Sequence, residues 1–199
     1  ASTADIVAVI QAVATAIDEE LEPEEIAEIA AGIEPTDGIF YPGIVQMNYM
    51  TGELIKSYGN APKMIIAMFD MGGSINTVEF HSEYHGHEDS PKELLEAIDK
   101  LDVDFSPRQI AHVATLSALA NQKLVPKPHL EEIIKYSATL GALGVNVAHS
   151  GTMVGVLFAP DESMKHVMEA VEKIREKFPE LEYFETERLI SGGYDIEQR

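Results

Sequence analysis

Apolar positions recur along this chain in alternating helical and strand periods, and proline, serine and glycine mark the joins. Ile6, Val9, Ile10, Val13 and Ile17 fall on one helical face, which predicts an amphipathic helix from the first residues, with Ser2 or Thr3 as its N-cap. Pro23, followed by Glu24, Glu25, Ile26, Ile29 and Ala30, predicts a second helix ending near Gly32, since proline is suited to a first helical turn. Ile44 to Tyr49, a turn at Met50–Glu53 and Leu54 to Tyr58 read as a β-hairpin.

Asn60-Ala61-Pro62 marks the expected boundary between residues 1–60 and a second domain at 61–199. Lys63 to Phe69 is a continuous apolar run, suited to a strand buried on both faces. Helices are expected from Ser90-Pro91 to Leu101, from Ser106-Pro107 to Asn121, from His129 to Leu140 and from Glu162 to Phe178. Gly144 to Pro160 reads as two strands turning around His149-Ser150-Gly151-Thr152, and Leu181 to Leu189 as a last strand. Strand, helices, strand, strand, helix, strand gives an α+β fold, with helices on one face of a mostly antiparallel sheet.

Composition narrows the partners. With 34 acidic against 14 basic residues, the net charge of −20 repels nucleic acid and anionic membranes. A nucleotide remains compatible, because Mg²⁺ and backbone dipoles can neutralise phosphate locally. There is no cysteine, which excludes disulfides and thiolate metal sites and fits a reducing compartment. No apolar run reaches membrane-spanning length, so the expected location is the cytoplasm. The chain opens without methionine inside a helical pattern, which reads as the later part of a longer polypeptide lacking an N-terminal segment.

Four stretches could carry chemistry. The His149-Ser150-Gly151-Thr152 turn could hold an anion on backbone N–H groups and hydroxyls, or be an ordinary hairpin. Asp37, in Glu34-Pro35-Thr36-Asp37-Gly38, is either a turn residue or a carboxylate that accepts a proton from a substrate hydroxyl. Asp70-Met71-Gly72-Gly73 closes the apolar strand with a tight turn. His81, His85 and His87 lie among carboxylates in an expected exposed loop; their spacing matches no standard zinc pattern, and a metal-binding module is the reading they would support.

Taken together, STADIVAVIQAVA, IEPTDGIFYPGIV, MFDMGGSINTVEF and GVNVAHSGTMVGVLF resemble the GHMP kinase superfamily in order and spacing, closest to its L-threonine kinase branch of cobalamin biosynthesis. The resemblance covers Ser2 to about Phe158 and implies a remnant of the N-terminal nucleotide- and substrate-binding domain, followed by a ferredoxin-like C-terminal domain. It implies ATP and Mg²⁺ as cofactors and a small-molecule alcohol as substrate, L-threonine first among the acceptors; the sequence leaves the oligomeric state open, a homodimer included. By the same resemblance Ser2, Thr3, Ser150, Gly151 and Thr152 would face the nucleotide, Ser2 and Glu34 the metal, and His149, Gly72 and Gly73 the acceptor, with Asp37 as catalytic carboxylate. Met71 and Asn76 depart from the branch's DTGG and VDT pattern, which leaves homoserine or another alcohol open as acceptor. A non-catalytic fragment or regulatory homologue is the other reading.

Overall fold

Helix α1 spans Ser2–Ala16 and α2 Pro23–Ile33, in a computed structural model that describes residues 2–73, 90–123, 125–148 and 151–193, without the Ser2 side chain. Strands β1 (Ile44–Met47) and β2 (Leu54–Gly59) pair antiparallel, as the alternation in that stretch predicts. Val7 and Ile10 of α1, Ile26, Ala27 and Ala30 of α2, and Phe40 and Tyr41 form one apolar cluster with these elements. Glu22 and Glu25 close a capping box at the start of α2, with the Glu22 N–H donating to Glu25 Oε2 at 2.9 Å. The hairpin turn presses directly on α2: Gly52 has φ +77°, and a Cβ there would lie 2.5 Å from the Ala27 carbonyl oxygen. Only glycine tolerates both that conformation and that approach.

The buried face of α1 differs from the expected one. Thr3, Val7, Ile10 and Ala14 point inward, whereas Val9, Val13 and Ile17 are 62%, 55% and 65% exposed. Small Ala14 lets the helix settle on the sector next to its larger apolar stripe. Thr3 also lies within the helix, one residue inside its first position, so it is not the cap.

After β2, the strand β3 (Ile65–Asp70) opens a second body that contains α3 (Lys92–Asp99), α4 (Pro107–Asn121), α5 (Leu130–Thr139), β4 (Gly144–Val147), β5 (Met153–Phe158), α6 (Met164–Lys177) and β6 (Glu182–Arg188). The strands form a sheet of order β4-β5-β3-β6 with every pairing antiparallel. Ser106 and Ser163 cap α4 and α6, accepting the N–H of Gln109 at 3.2 Å and of His166 at 3.1 Å; these hydroxyls set the helix starts. Ile65, Ala67 and Phe69 of β3 join Val145, Val154, Val156, Leu130, Ile133, Val167 and Ile174 in the main core. Ile66, Met68 and Asp70 on the other face are only partly buried, so β3 is not sealed on both faces. Helix α4 runs along β4 and covers that edge, and Thr115 Oγ1 accepts the Val145 N–H at 2.9 Å.

The chain divides into two compact units, Ala1–Ala61 with Ile190–Arg199, and Pro62–Leu189. The segment after β6 runs with the first unit: Ser191 O accepts the Gly43 N–H at 3.2 Å, and the Ser191 hydroxyl donates to Ala61 O at 3.4 Å. Among the described residues no helix is long and apolar enough to cross a membrane.

Lys127, in the connection between α4 and α5, is 4% exposed, and its Nζ has no hydrogen-bond partner among the described residues. Gln122 holds the backbone there, accepting the Lys127 N–H at 2.6 Å and donating its amide to Lys127 O at 3.0 Å. Burial holds the Lys127 pKa below its usual value, so over the window between its folded value and the ordinary lysine range the unfolded chain binds the extra proton. Stability therefore rises with pH across that window. Replacing Lys127 by Met should raise the melting temperature at neutral pH by a few degrees, since about 1 kcal/mol moves it by ~2–4 °C in a chain of this size. The gain should shrink as pH climbs toward the lysine range. Thermal melts of K127M against wild type check both; a lower melting temperature at neutral pH contradicts the assignment.

Candidate functional site

In the first unit the start of α1 meets the loop that carries Asp37. Thr3 is 6% exposed and Thr36 2%, and their hydroxyl oxygens lie 3.5 Å apart. Thr3 Oγ1 also accepts the backbone N–H of Asp37 at 3.4 Å, and the Thr36 N–H donates to Tyr49 O at 2.9 Å. The loop is thus held on one side by the first turn of a helix and on the other by the β-hairpin. Gly38 follows, and a Cβ there would come within 2.8 Å of Met47 Sδ, so the backbone lies flat on the hairpin. The Asp37 side chain itself is exposed. This gives a rigid mount for a solvent-facing carboxylate beside a helix N-terminus, where the macrodipole favours negative charge.

Thr3 takes a different place from the one the resemblance implies. It is buried and gives its lone pairs to the Asp37 loop, so it is not open to a nucleotide; it holds the loop in place. Thr36, which the sequence reading passed over, is its buried partner. A threonine beside an aspartate in a loop otherwise reads as turn chemistry, and only the fold shows that its side chain points inward.

In the second unit the end of β3 and the start of β5 form a corner. The register sets Asp70 opposite Met153, and the Met71 N–H donates to Thr152 O at 3.2 Å, so the residue after β3 is tied to the one before β5. Asp70 Oδ1 accepts the Gly72 N–H at 2.9 Å. The Thr152 hydroxyl beside this carboxylate, foremost, and the Gly72 amide hold the Asp70 pKa below the usual carboxylate range. Gly72 and Gly73 have φ of +72° and +84°, and a side chain added at either would meet nothing within 4 Å. Gly151 is tighter, with Ala148 Cβ at 3.1 Å from an added Cβ.

Thr152 itself is partly buried and lies beside the Asp70 carboxylate. Asp70 is the residue missed here. Its signal was present, an acidic residue ending a buried apolar strand just before two glycines, but its partner follows only from the strand register.

Of the other expected site residues, Ser2 begins α1, and Glu34 is half-buried at the C-cap of α2, its N–H donating to Ala30 O at 3.1 Å. His149 and Ser150 lie outside the described residues, as do His81, His85 and His87. Among the described residues no group of three or more His, Asp and Glu is placed to hold a metal unaided. A cleft of about 130 Å³ opens between α4 and α5, lined by His112, Thr115 and Ser137. Thr115 and Ser137 donate to Ala111 O at 2.8 Å and Ile133 O at 2.7 Å, and ligand pockets are ordinarily about 300 Å³ or more.

Comparison with known proteins bears on the same two units. Residues 94–177 match the family model described as GHMP kinases C terminal. An L-threonine kinase of Citrobacter freundii is 24% identical over 207 aligned positions, which cover 98% of this chain and 70% of that protein. An L-threonine kinase of Salmonella typhimurium is 24% identical over 161 positions, covering 78% of this chain and 54% of that protein. Among solved structures, L. major mevalonate kinase in complex with R-mevalonate superimposes with a TM-score of 0.64 at 17% identity, over 94% of this chain. The chain spans 64% of that kinase's length. Residues 94–177 thus carry the sequence pattern of the GHMP kinase C-terminal family, and the chain has the fold of L. major mevalonate kinase over 94% of its length.

Proposed function

We propose that this chain is a small-molecule kinase that transfers the γ-phosphoryl group of ATP to the hydroxyl of a small hydroxy amino acid, L-threonine. The observation that carries the reading is the mounting of Asp37: an exposed carboxylate whose backbone N–H is held by buried Thr3 in the first turn of α1. The 24% identity to an L-threonine kinase across 98% of the chain supports the choice of acceptor.

In this reading the substrate oxygen attacks the γ-phosphorus, the bond to the ADP oxygen breaks, and the hydroxyl proton passes to Asp37. Phosphoryl transfer needs positioning and charge stabilisation more than covalent help from the protein. In the first unit the first N–H groups of α1, from Ser2 onward, are suited to phosphate oxygens. In the second unit, described by itself, the backbone at Gly151 is suited to an anion and the Gly72-Gly73 turn to a small ligand. Mg²⁺ carried in by the nucleotide keeps phosphates and waters as most of its ligands and needs one or two protein oxygens; in this reading Ser2 and Glu34 would supply them. Bound Mg²⁺ would supply charge neutralisation on the transferring group, which matters in a chain of net charge −20.

Incubating the chain with labelled ATP, Mg²⁺ and a panel of L-threonine, homoserine and mevalonate should give transfer to L-threonine first; no transfer to any of them overturns the reading in favour of a non-catalytic homologue. Asp37→Asn should lower turnover by about a hundredfold to ten-thousandfold with an unchanged melting temperature, and near-normal turnover would remove Asp37 from the mechanism. Thr3→Val keeps the carboxylate but deletes the acceptor of the Asp37 N–H. It should lower kcat by roughly two- to tenfold, the worth of one hydrogen bond, with little change in KM for ATP. A raised KM for ATP with unchanged kcat would instead place Thr3 at the nucleotide.

A further inference from the structure

Asp37-Gly38 is the one Asp-Gly step in the sequence, and no Asn-Gly step occurs. An aspartate before glycine can close on itself. The next residue's amide nitrogen attacks the side-chain carboxyl carbon, and glycine, which has no Cβ, screens that nitrogen least. The loop fixes what lies on either side of this bond. The Thr36 N–H donates to Tyr49 O at 2.9 Å, the Asp37 N–H to Thr3 Oγ1 at 3.4 Å, and the Tyr41 N–H to Gly38 O at 3.1 Å. The two reacting groups stand outside this scheme: the Asp37 side chain is exposed, and the Gly38 N–H has no hydrogen bond among the described residues. Packing keeps the glycine in place, since a Cβ there would lie 2.8 Å from Met47 Sδ and 3.0 Å from Val45 Cγ2. A larger residue would have to displace both side chains.

We propose that Asp37 is a site of spontaneous conversion to isoaspartate, and that the fold, by favouring glycine after it, builds this weak point into the loop. The Gly38 nitrogen bonds to Asp37 Cγ, and the amide proton leaves with the carboxyl hydroxyl as water, which closes a five-membered succinimide. Water then breaks one of the two imide C–N bonds. Cleavage at Cγ restores aspartate. Cleavage at the backbone carbonyl carbon leaves Gly38 joined through Cγ, with the former backbone carbonyl as a free carboxylate. No other reactant is consumed, and the mass of the chain is unchanged. The main chain of the product is one carbon longer at this residue, and its carboxylate sits on Cα instead of Cβ. The charge therefore leaves the position that the anchored loop sets for it. This chemistry stands apart from the kinase reading; only its effect on turnover rests on that reading.

The test is prolonged warm storage of the folded wild-type chain in mildly acidic heavy-oxygen water, then proteolysis and mass spectrometry with fragmentation that tells the two linkages apart. An isoaspartyl linkage carrying one heavy oxygen should appear at position 37 before it appears at any other aspartate. Gly38→Ala should slow its appearance severalfold. No conversion at position 37 in the folded chain while the urea-unfolded chain converts, earlier conversion at another aspartate, or an unchanged rate in G38A overturns the proposal. The comparison of folded with unfolded wild type decides the matter if G38A does not fold. Phosphate transfer should fall in step with the converted fraction. Conversion without loss of transfer keeps the modification site and removes Asp37 from the mechanism. A chain that converts but transfers no phosphate at the outset keeps the site and loses the kinase reading; transfer by a chain that never converts does the reverse.

Discussion

The antiparallel pairing of β3 with β5 is the constraint on which the second unit depends. Six residue pairs, from Ile65 with Phe158 to Asp70 with Met153, run without a register shift. A slip of one residue would turn Ala67 and Phe69 out of the core, because strand side chains alternate with a period of two. Burial of those side chains therefore fixes the register, and the register fixes where the strands end. Asp70 is brought beside Thr152 for that reason, and the polar corner follows from apolar packing a few residues away. There Asp70 Oδ1 accepts the Gly72 N–H at 2.9 Å, which ties the carboxylate to the turn that follows β3.

The first unit reaches a similar result by a different route. Here the fixed element is a helix N-terminus, and short side chains tie the functional loop to it. Thr3 and Thr36 are small enough to be buried side by side and polar enough to bridge backbone groups across thirty-three residues of sequence. Asp37 then faces solvent while its own N–H is anchored. In both units the reactive-looking carboxylate is exposed or half-exposed, and the residues that position it are buried or partly buried hydroxyls and glycines. Rigid backbone on one side and open space on the other is what a site for a small polar ligand requires.

Much of this fold was legible in the chain because helix starts and strand alternation are local properties. Ser106-Pro107 is an N-cap and first turn in the structure, and the alternating Ile44 to Tyr58 stretch is a hairpin. The failures are the features that depend on partners. The apolar stripe Val9, Val13, Ile17 reads as the buried face of α1, but the neighbouring sector is the one that packs, since α2 offers Ile26, Ala27 and Ala30 to Val7 and Ile10. Periodicity reports that a helix is apolar over a wide arc without saying which part of the arc meets a neighbour. The neighbourhood of Asp70 and Thr152, eighty-two residues apart, depends on strand register in the same way, and no local pattern encodes it.

The most direct measurement of the central claim, that the β3 and β5 turns form one preorganised corner, is amide hydrogen exchange at Met71 and Gly72 in the ligand-free chain. The account predicts that both amides are protected at neutral pH, Met71 by the Thr152 carbonyl and Gly72 by the Asp70 carboxylate, and that Gly72 loses protection in Asp70→Ala while Met71, held by a backbone carbonyl, keeps it. Exchange of Met71 and Gly72 at the rate of an unstructured peptide in the wild-type chain would contradict it.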